Sequence, residues 1–111
     1  MSDVQAQIAE AVKNNDVLLY MKGTPQFPQC GFSSVTSQIL NHLGVKFTSV
    51  NVLEDQDVRE GIKTFSNWPT IPQLYVKGEF VGGADIIREM FEQNELIPFF
   101  EERGIALAPA A

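Results

Sequence analysis

The feature that most constrains the fold is Val17-Leu18-Leu19-Tyr20-Met21, an apolar, β-prone run with no polar residue in alternation. It reads as a strand buried on both faces, which requires a layer of structure on each side of its sheet. Those layers are legible around it. Val4, Ile8 and Val12 recur at four-residue spacing as a helix face, and Asn14-Asn15-Asp16 supplies its stop. Gly23 to Gln29 holds one Gly and two Pro in seven residues and reads as a loop, after which Val35, Ile39 and Leu43 mark a helix ending at Gly44. Phe47 to Val52 reads as a second strand, Val58, Ile62 and Phe65 as a third helical face, and Asn67-Trp68-Pro69 as a break. Leu74-Tyr75-Val76 and Phe80-Val81, joined through Lys77-Gly78, read as a short antiparallel hairpin. Ile86, Ile87, Met90 and Phe91 belong to one closing helix, and Leu96, Phe99 and Phe100 to another. Polar periodicity is lost after Gly104, and residues 105–111, ending Ala-Pro-Ala-Ala, are expected to be a frayed tail.

The order αβαβαββαα places a strand-helix-strand unit, parallel and right-handed, before an antiparallel hairpin in the same sheet. The expected class is α/β: a mixed four-stranded sheet with about five helices on both faces. At 111 residues the chain is long enough for one domain, with its core over about residues 3–104. Eight Lys plus Arg against fourteen Asp plus Glu leave a net charge of −6, which repels nucleic acid and acidic membranes, so an anionic ligand has to be captured locally. No apolar stretch approaches the roughly 20 residues of a membrane span, and Met1 to Gln7 resembles neither a secretory nor an Arg-rich transit segment. The expected location is the cytoplasm, or an organelle after removal of a segment ahead of Met1.

Cys30 is the single cysteine, which excludes a disulfide framework and a Cys-built metal site within one chain. A lone thiol suits a reducing compartment. It follows a strand, a loop and Pro28 and opens a helix, where free N–H groups and the positive helix end favour a thiolate. The alternative is a small buried apolar side chain. The polar, Pro-rich loop argues against burial, and Lys22 at the strand end adds positive charge nearby. In Cys30-Gly31-Phe32-Ser33 a serine stands where a Cys-x-x-Cys motif carries its second thiol, so a partner thiol has to come from outside. His42, the only histidine, lies late on the same helix and reads as a surface residue rather than a metal ligand.

Gly82-Gly83 before Ala84-Asp85 opens a helix after a strand, leaving N–H groups free for an anion and removing side chains from its approach. Asp85 can accept from an ammonium, or serve as an ordinary first-turn acid. Lys22 and Arg59 are solvated surface cations unless a ligand gathers them. Trp68-Pro69 reads as a packed aromatic beside a rigid loop rather than a ligand contact.

With Lys22-Gly23-Thr24-Pro25, Cys30-Gly31-Phe32-Ser33, Trp68-Pro69-Thr70-Ile71-Pro72-Gln73 and Gly82-Gly83-Ala84-Asp85-Ile86 in this order and spacing, the chain resembles the CGFS-type monothiol glutaredoxins, over about residues 3–104. The resemblance implies a thioredoxin-like fold, a cis peptide at Ile71-Pro72 facing the cysteine, and glutathione as ligand. It implies that Lys22 and Arg59 take the glycine carboxylate, with Lys63 a weaker candidate, that Ile71 pairs with the cysteinyl backbone, and that Gly83, Ala84 and Asp85 hold the γ-glutamyl head. It further implies a labile [2Fe–2S] cluster bridging a homodimer, with Cys30 from each subunit and two glutathiones as ligands. Several members carry a second Cys where this chain has Ala84, so their intramolecular disulfide is not available to it.

The function implied is storage of the iron–sulfur cluster and its transfer to apo-proteins. The alternative is an enzyme, a glutathione-dependent thiol-disulfide oxidoreductase that deglutathionylates proteins through Cys30 alone. A heterodimer with a BolA-like partner follows from the family resemblance and from no residue here.

Overall fold

The computed structural model describes residues 3–108. Its elements run α1 Asp3–Asn14, β1 Val17–Met21, α2 Gly31–His42, β2 Thr48–Asn51, a 3₁₀ turn Val52–Glu54, α3 Gln56–Ser66, β3 Gln73–Val76, β4 Glu79–Gly82, α4 Ala84–Glu92 and α5 Leu96–Glu102. The four strands form one sheet in the order β2-β1-β3-β4. β1 pairs parallel with β2, Met21 opposite Asn51, and antiparallel with β3, which pairs antiparallel with β4.

All five residues of β1 are buried, and strand alternation sends them into two separate cores. Val17, Leu19 and Met21 pack with Ile39, Leu40, Ile87, Leu96 and Phe100, on the face covered by α2, α4 and α5. Leu18 and Tyr20 pack with Ile8, Val12, Val58 and Ile62, on the face covered by α1 and α3. The uninterrupted apolar run is therefore the cost of a sheet with no wet face. Each large side chain removed from water here contributes about 1.5–3 kcal/mol.

Three details depart from the sequence expectations. The second strand is shorter than Phe47–Val52, because Asn51 Oδ1 accepts from Leu53 N at 3.0 Å and turns the chain into the 3₁₀ segment. On α2, Val35 is exposed, and the buried face is built from Ser33, Thr36, Ser37, Ile39 and Leu40. Its hydroxyls are buried at little cost because they bond within the fold: Thr36 Oγ1 donates to Phe32 O at 2.9 Å and Ser37 Oγ to Ser34 O at 3.1 Å. Finally, the expected tail is packed in its first part. Ile105 is 9% exposed and joins the core, Leu107 packs against it, and a Cβ on Gly44 (φ +71°) would collide with the backbone of Ala108. The rest of that tail, residues 109–111, lies outside the described residues. Among the described residues no helix is long and apolar enough to cross a membrane.

Candidate functional site

Cys30 is the N-cap residue of α2, in an extended conformation (φ −154°, ψ 136°), with no side-chain cap of its own. Its carbonyl accepts from Ser34 N at 2.9 Å, so the helix begins on it, and the thiol is left half-buried at the helix mouth. Burial pushes the thiol up. The N–H groups of Ser33 and Phe32, the charge of Lys22 and the Ser33 hydroxyl outweigh that and hold it below the ordinary cysteine value. The helix entrance thus does what the sequence position suggested. Phe32, next but one after Cys30, and Phe27 on the preceding loop are 60% and 74% exposed.

Beside Cys30, β1 exits through Lys22 and Gly23. Lys22 N donates to Ser33 Oγ at 3.0 Å, and Ser33 itself is fully buried. Gly23 N donates to Asn51 Oδ1 at 2.9 Å. Gly23 has φ +89°, in the left-handed region that favours glycine, and an added Cβ would lie 2.5 Å from Phe27 O. The backbone at Lys22 is therefore held on both sides. Among the described residues it makes no ion pair, and neither does Arg59 on α3, whereas Lys63 is paired with Glu60 at 3.5 Å.

A cleft of about 220 Å³ adjoins the first turn of α2 at Phe32 and is lined further by Trp68, Thr70, Ile71, Pro72 and the segment from Gly83 to Ile86. Ile71-Pro72 is a cis peptide, as the resemblance implied. The segment leading to it is clamped by Gln73, whose fully buried side-chain amide donates to Trp68 O and to Thr70 O, each at 3.1 Å, while its carbonyl accepts from Tyr75 OH at 3.0 Å. Burial pushes the Tyr75 hydroxyl up to about 12, so it stays a donor throughout the physiological range. α4 begins at this cleft with Gly83 as N-cap and no side-chain cap, which leaves its first N–H groups open. Asp85 sits in that first turn, exposed, 3.9 Å from Arg88. A Cβ on Gly83 would lie 3.2 Å from Pro72 O and 3.3 Å from Trp68 Nε1, a buried N–H with no hydrogen-bond partner among the described residues.

Of the residues singled out in the sequence, Ile71, Gly83, Ala84 and Asp85 share the cleft, and Lys22 acts electrostatically on Cys30 next to it. Arg59, half-buried on α3, and Lys63 are not among the cleft residues. Trp68, read from sequence as a packed aromatic, does pack, its ring centroid 5.7 Å from that of Phe80, and also lines the cleft. Sequence reasoning missed Asn51 and Gln73, whose side chains bond to the two loops that frame the site. A polar residue at a strand end was the only signal available for Asn51; Gln73 stood in the Trp68–Gln73 motif without a role of its own. No group of three or more His, Cys, Asp or Glu side chains gathers among the described residues, so any metal cargo held here needs ligands from outside the chain.

A family model described as Glutaredoxin matches residues 17–81. The chain is 51% identical over 111 aligned residues to monothiol glutaredoxin-5, mitochondrial, of Saccharomyces cerevisiae, with 97% of this chain and 73% of that protein covered. It is similar to the solution structure of a monomeric truncated mutant of Trypanosoma brucei 1-C-Grx1, with a TM-score of 0.87 and 38% identity over 99% of this chain and all of that one. The crystal structure of a buckwheat glutaredoxin-glutathione complex has a TM-score of 0.78 at 19% identity, over 91% of this chain and 90% of that one, a likeness of fold.

Proposed function

This chain belongs to the glutaredoxin family, is of its monothiol kind and has the thioredoxin-like fold, and from that premise we propose that it binds glutathione and carries a labile [2Fe–2S] cluster as cargo. In this reading the open N–H groups of α4 and the Asp85 carboxylate take the two charges of the γ-glutamyl head, and the Ile71 backbone pairs with the tripeptide as a short added strand. Lys22 takes the glycine carboxylate at the opposite end. Arg59 is proposed for the same end, on the strength of being an unpaired, half-buried cation. The buckwheat glutaredoxin, of the same fold, is described as a complex with glutathione.

The observation that carries the reading is Cys30 itself: one half-buried thiol, held toward the thiolate, at the start of the helix whose Phe32 lines a cleft shared by Ile71, Gly83, Ala84 and Asp85. One chain supplies one thiolate, and a [2Fe–2S] centre takes four ligands. Two chains and two glutathiones complete the set, so the proposed holo form is a homodimer bridged by the cluster. Ligands that are themselves exchangeable small molecules make release to apo-proteins easy. The proposed compartment is a reducing one, the cytoplasm or an organelle interior such as the yeast relative's name states.

The depressed thiol also supports a second reading, deglutathionylation. Cys30 attacks the glutathionyl sulfur of a protein mixed disulfide and expels the protein thiolate; a second glutathione thiolate then attacks the Cys30 adduct, releasing glutathione disulfide and regenerating Cys30. Anaerobic reconstitution with iron, sulfide and glutathione, following visible absorption and molecular mass together, tests the carrier reading. A chromophore that appears only with glutathione and only in a species of two chains supports it; no chromophore, or one carried by a single chain, contradicts it.

A further inference from the structure

The backbone that carries Lys22 out of β1 is fixed at three points within two residues. Lys22 N–H donates to Ser33 Oγ at 3.0 Å, the Lys22 carbonyl accepts from Gln29 N at 2.9 Å, and Gly23 N–H donates to Asn51 Oδ1 at 2.9 Å. The two side-chain anchors are themselves held. Ser33 is fully buried in the first turn of α2, and Asn51, at the end of β2 opposite Met21, uses the same Oδ1 to accept from Leu53 N at 3.0 Å. The left-handed Gly23, closely packed against Phe27 and Gln29, leaves this exit one path. A solvated strand exit satisfies its N–H groups with water; here each N–H is met by a side chain from a different element.

We infer that Asn51 is a positioning residue: together with Ser33 it orients the Lys22-Gly23 exit so that the Lys22 ammonium faces the ligand bound beside Cys30, and ligand affinity depends on Asn51 through Lys22. The inference rests on the proposed assignment of Lys22 to the glycine carboxylate of glutathione. Asn51 touches no part of the cleft itself, so its effect has to travel through the exit it holds.

The probe is S-methylglutathione, whose thioether cannot exchange with Cys30, titrated against the native protein, Asn51→Ala, Lys22→Ala and the double variant, with thermal stability recorded for each. Asn51→Ala is expected to weaken binding roughly three- to tenfold in the native background and by less than about 1.5-fold once Lys22 is gone. Equal losses in both backgrounds, or a lowered melting temperature with unchanged affinity, would show a purely structural cap on the 3₁₀ turn and overturn the inference. If Lys22→Ala weakens binding and Asn51→Ala does not, the inference fails and the glutathione assignment stands. If Lys22→Ala has no effect, both fail. Should Asn51→Ala not fold, Asn51→Ser, whose shorter side chain can still cap the 3₁₀ turn but falls short of Gly23 N, enters the same cycle with the same outcomes.

Discussion

The two sides of the site are built from different materials. Around Cys30 the chemistry centres on one side chain, a thiol at a helix mouth that the N–H groups of Ser33 and Phe32, the Lys22 charge and the Ser33 hydroxyl hold toward the thiolate. Across the cleft the proposed ligand contacts are made mostly by backbone, in the Ile71-Pro72 segment and the uncapped start of α4 at Gly83. The thiol side is sensitive to what a substitution removes. At the backbone contacts proposed for the other side, removing a side chain should matter little and adding a Cβ should matter more, because N–H and C=O groups belong to every residue type; Asp85, whose carboxylate is a proposed contact, is the exception.

Substitutions can break that contrast or sharpen it. Cys30→Ser should have the largest effect: the half-buried helix entrance tolerates the exchange and the protein folds, yet no visible cluster chromophore forms. A chromophore retained by this variant would remove Cys30 as ligand and the two-chain stoichiometry with it. Lys22→Ala follows, with a loss of about 1–3 kcal/mol in glutathione affinity, the range for hydrogen bonds to charged groups; calorimetric titration reads it directly.

On the backbone side, Gly83→Ala should cost glutathione about 1 kcal/mol through crowding, since the added Cβ sits 3.2 Å from Pro72 O and 3.3 Å from the Trp68 indole nitrogen. Ala84→Ser, which leaves the helix-start N–H groups in place, should change affinity by less than about 0.5 kcal/mol. A loss at Ala84→Ser as large as at Gly83→Ala would mean that the side chain at position 84, not the backbone, meets the ligand.

The thiol side also carries a pH dependence. Because the folded site holds Cys30 below the ordinary cysteine value, its alkylation rate should rise with pH at lower values than for a free cysteine, and fall only as the pH drops through the depressed midpoint. An alkylation profile matching a free cysteine would show that the helix mouth and Lys22 exert no net pull on the sulfur.

The same division governs what could be read from the sequence. The β1 run, the hairpin and the α3 face were legible because apolar pattern reports burial directly, as was the α4 face through Ile87, Met90 and Phe91, though Ile86 is exposed. α2 misled, because its buried face uses Ser33, Thr36 and Ser37, whose hydroxyls are satisfied locally and leave no apolar trace, while Val35 points outward. At the C-terminus, Ile105 and Leu107 pack without periodicity, since a segment laid across a core needs only one or two anchors. Cys30, Ile71 and the Gly83 helix start were found by motif. Asn51 was not, because it bonds to Gly23, 28 residues away, and pattern along the chain does not reveal a partner across the fold; Gln73 stood in the Trp68–Gln73 motif, but its bonds to Trp68 O and Thr70 O leave no periodic trace.

The central claim, a cluster carrier rather than a reductase, is tested most directly by one comparison on a single preparation: cluster transfer from the reconstituted protein to an apo-ferredoxin, beside turnover of a glutathionylated peptide with glutathione in excess. The account predicts transfer of the visible chromophore to the acceptor together with slow peptide turnover. Brisk turnover by a protein that holds no reconstitutable cluster would contradict it.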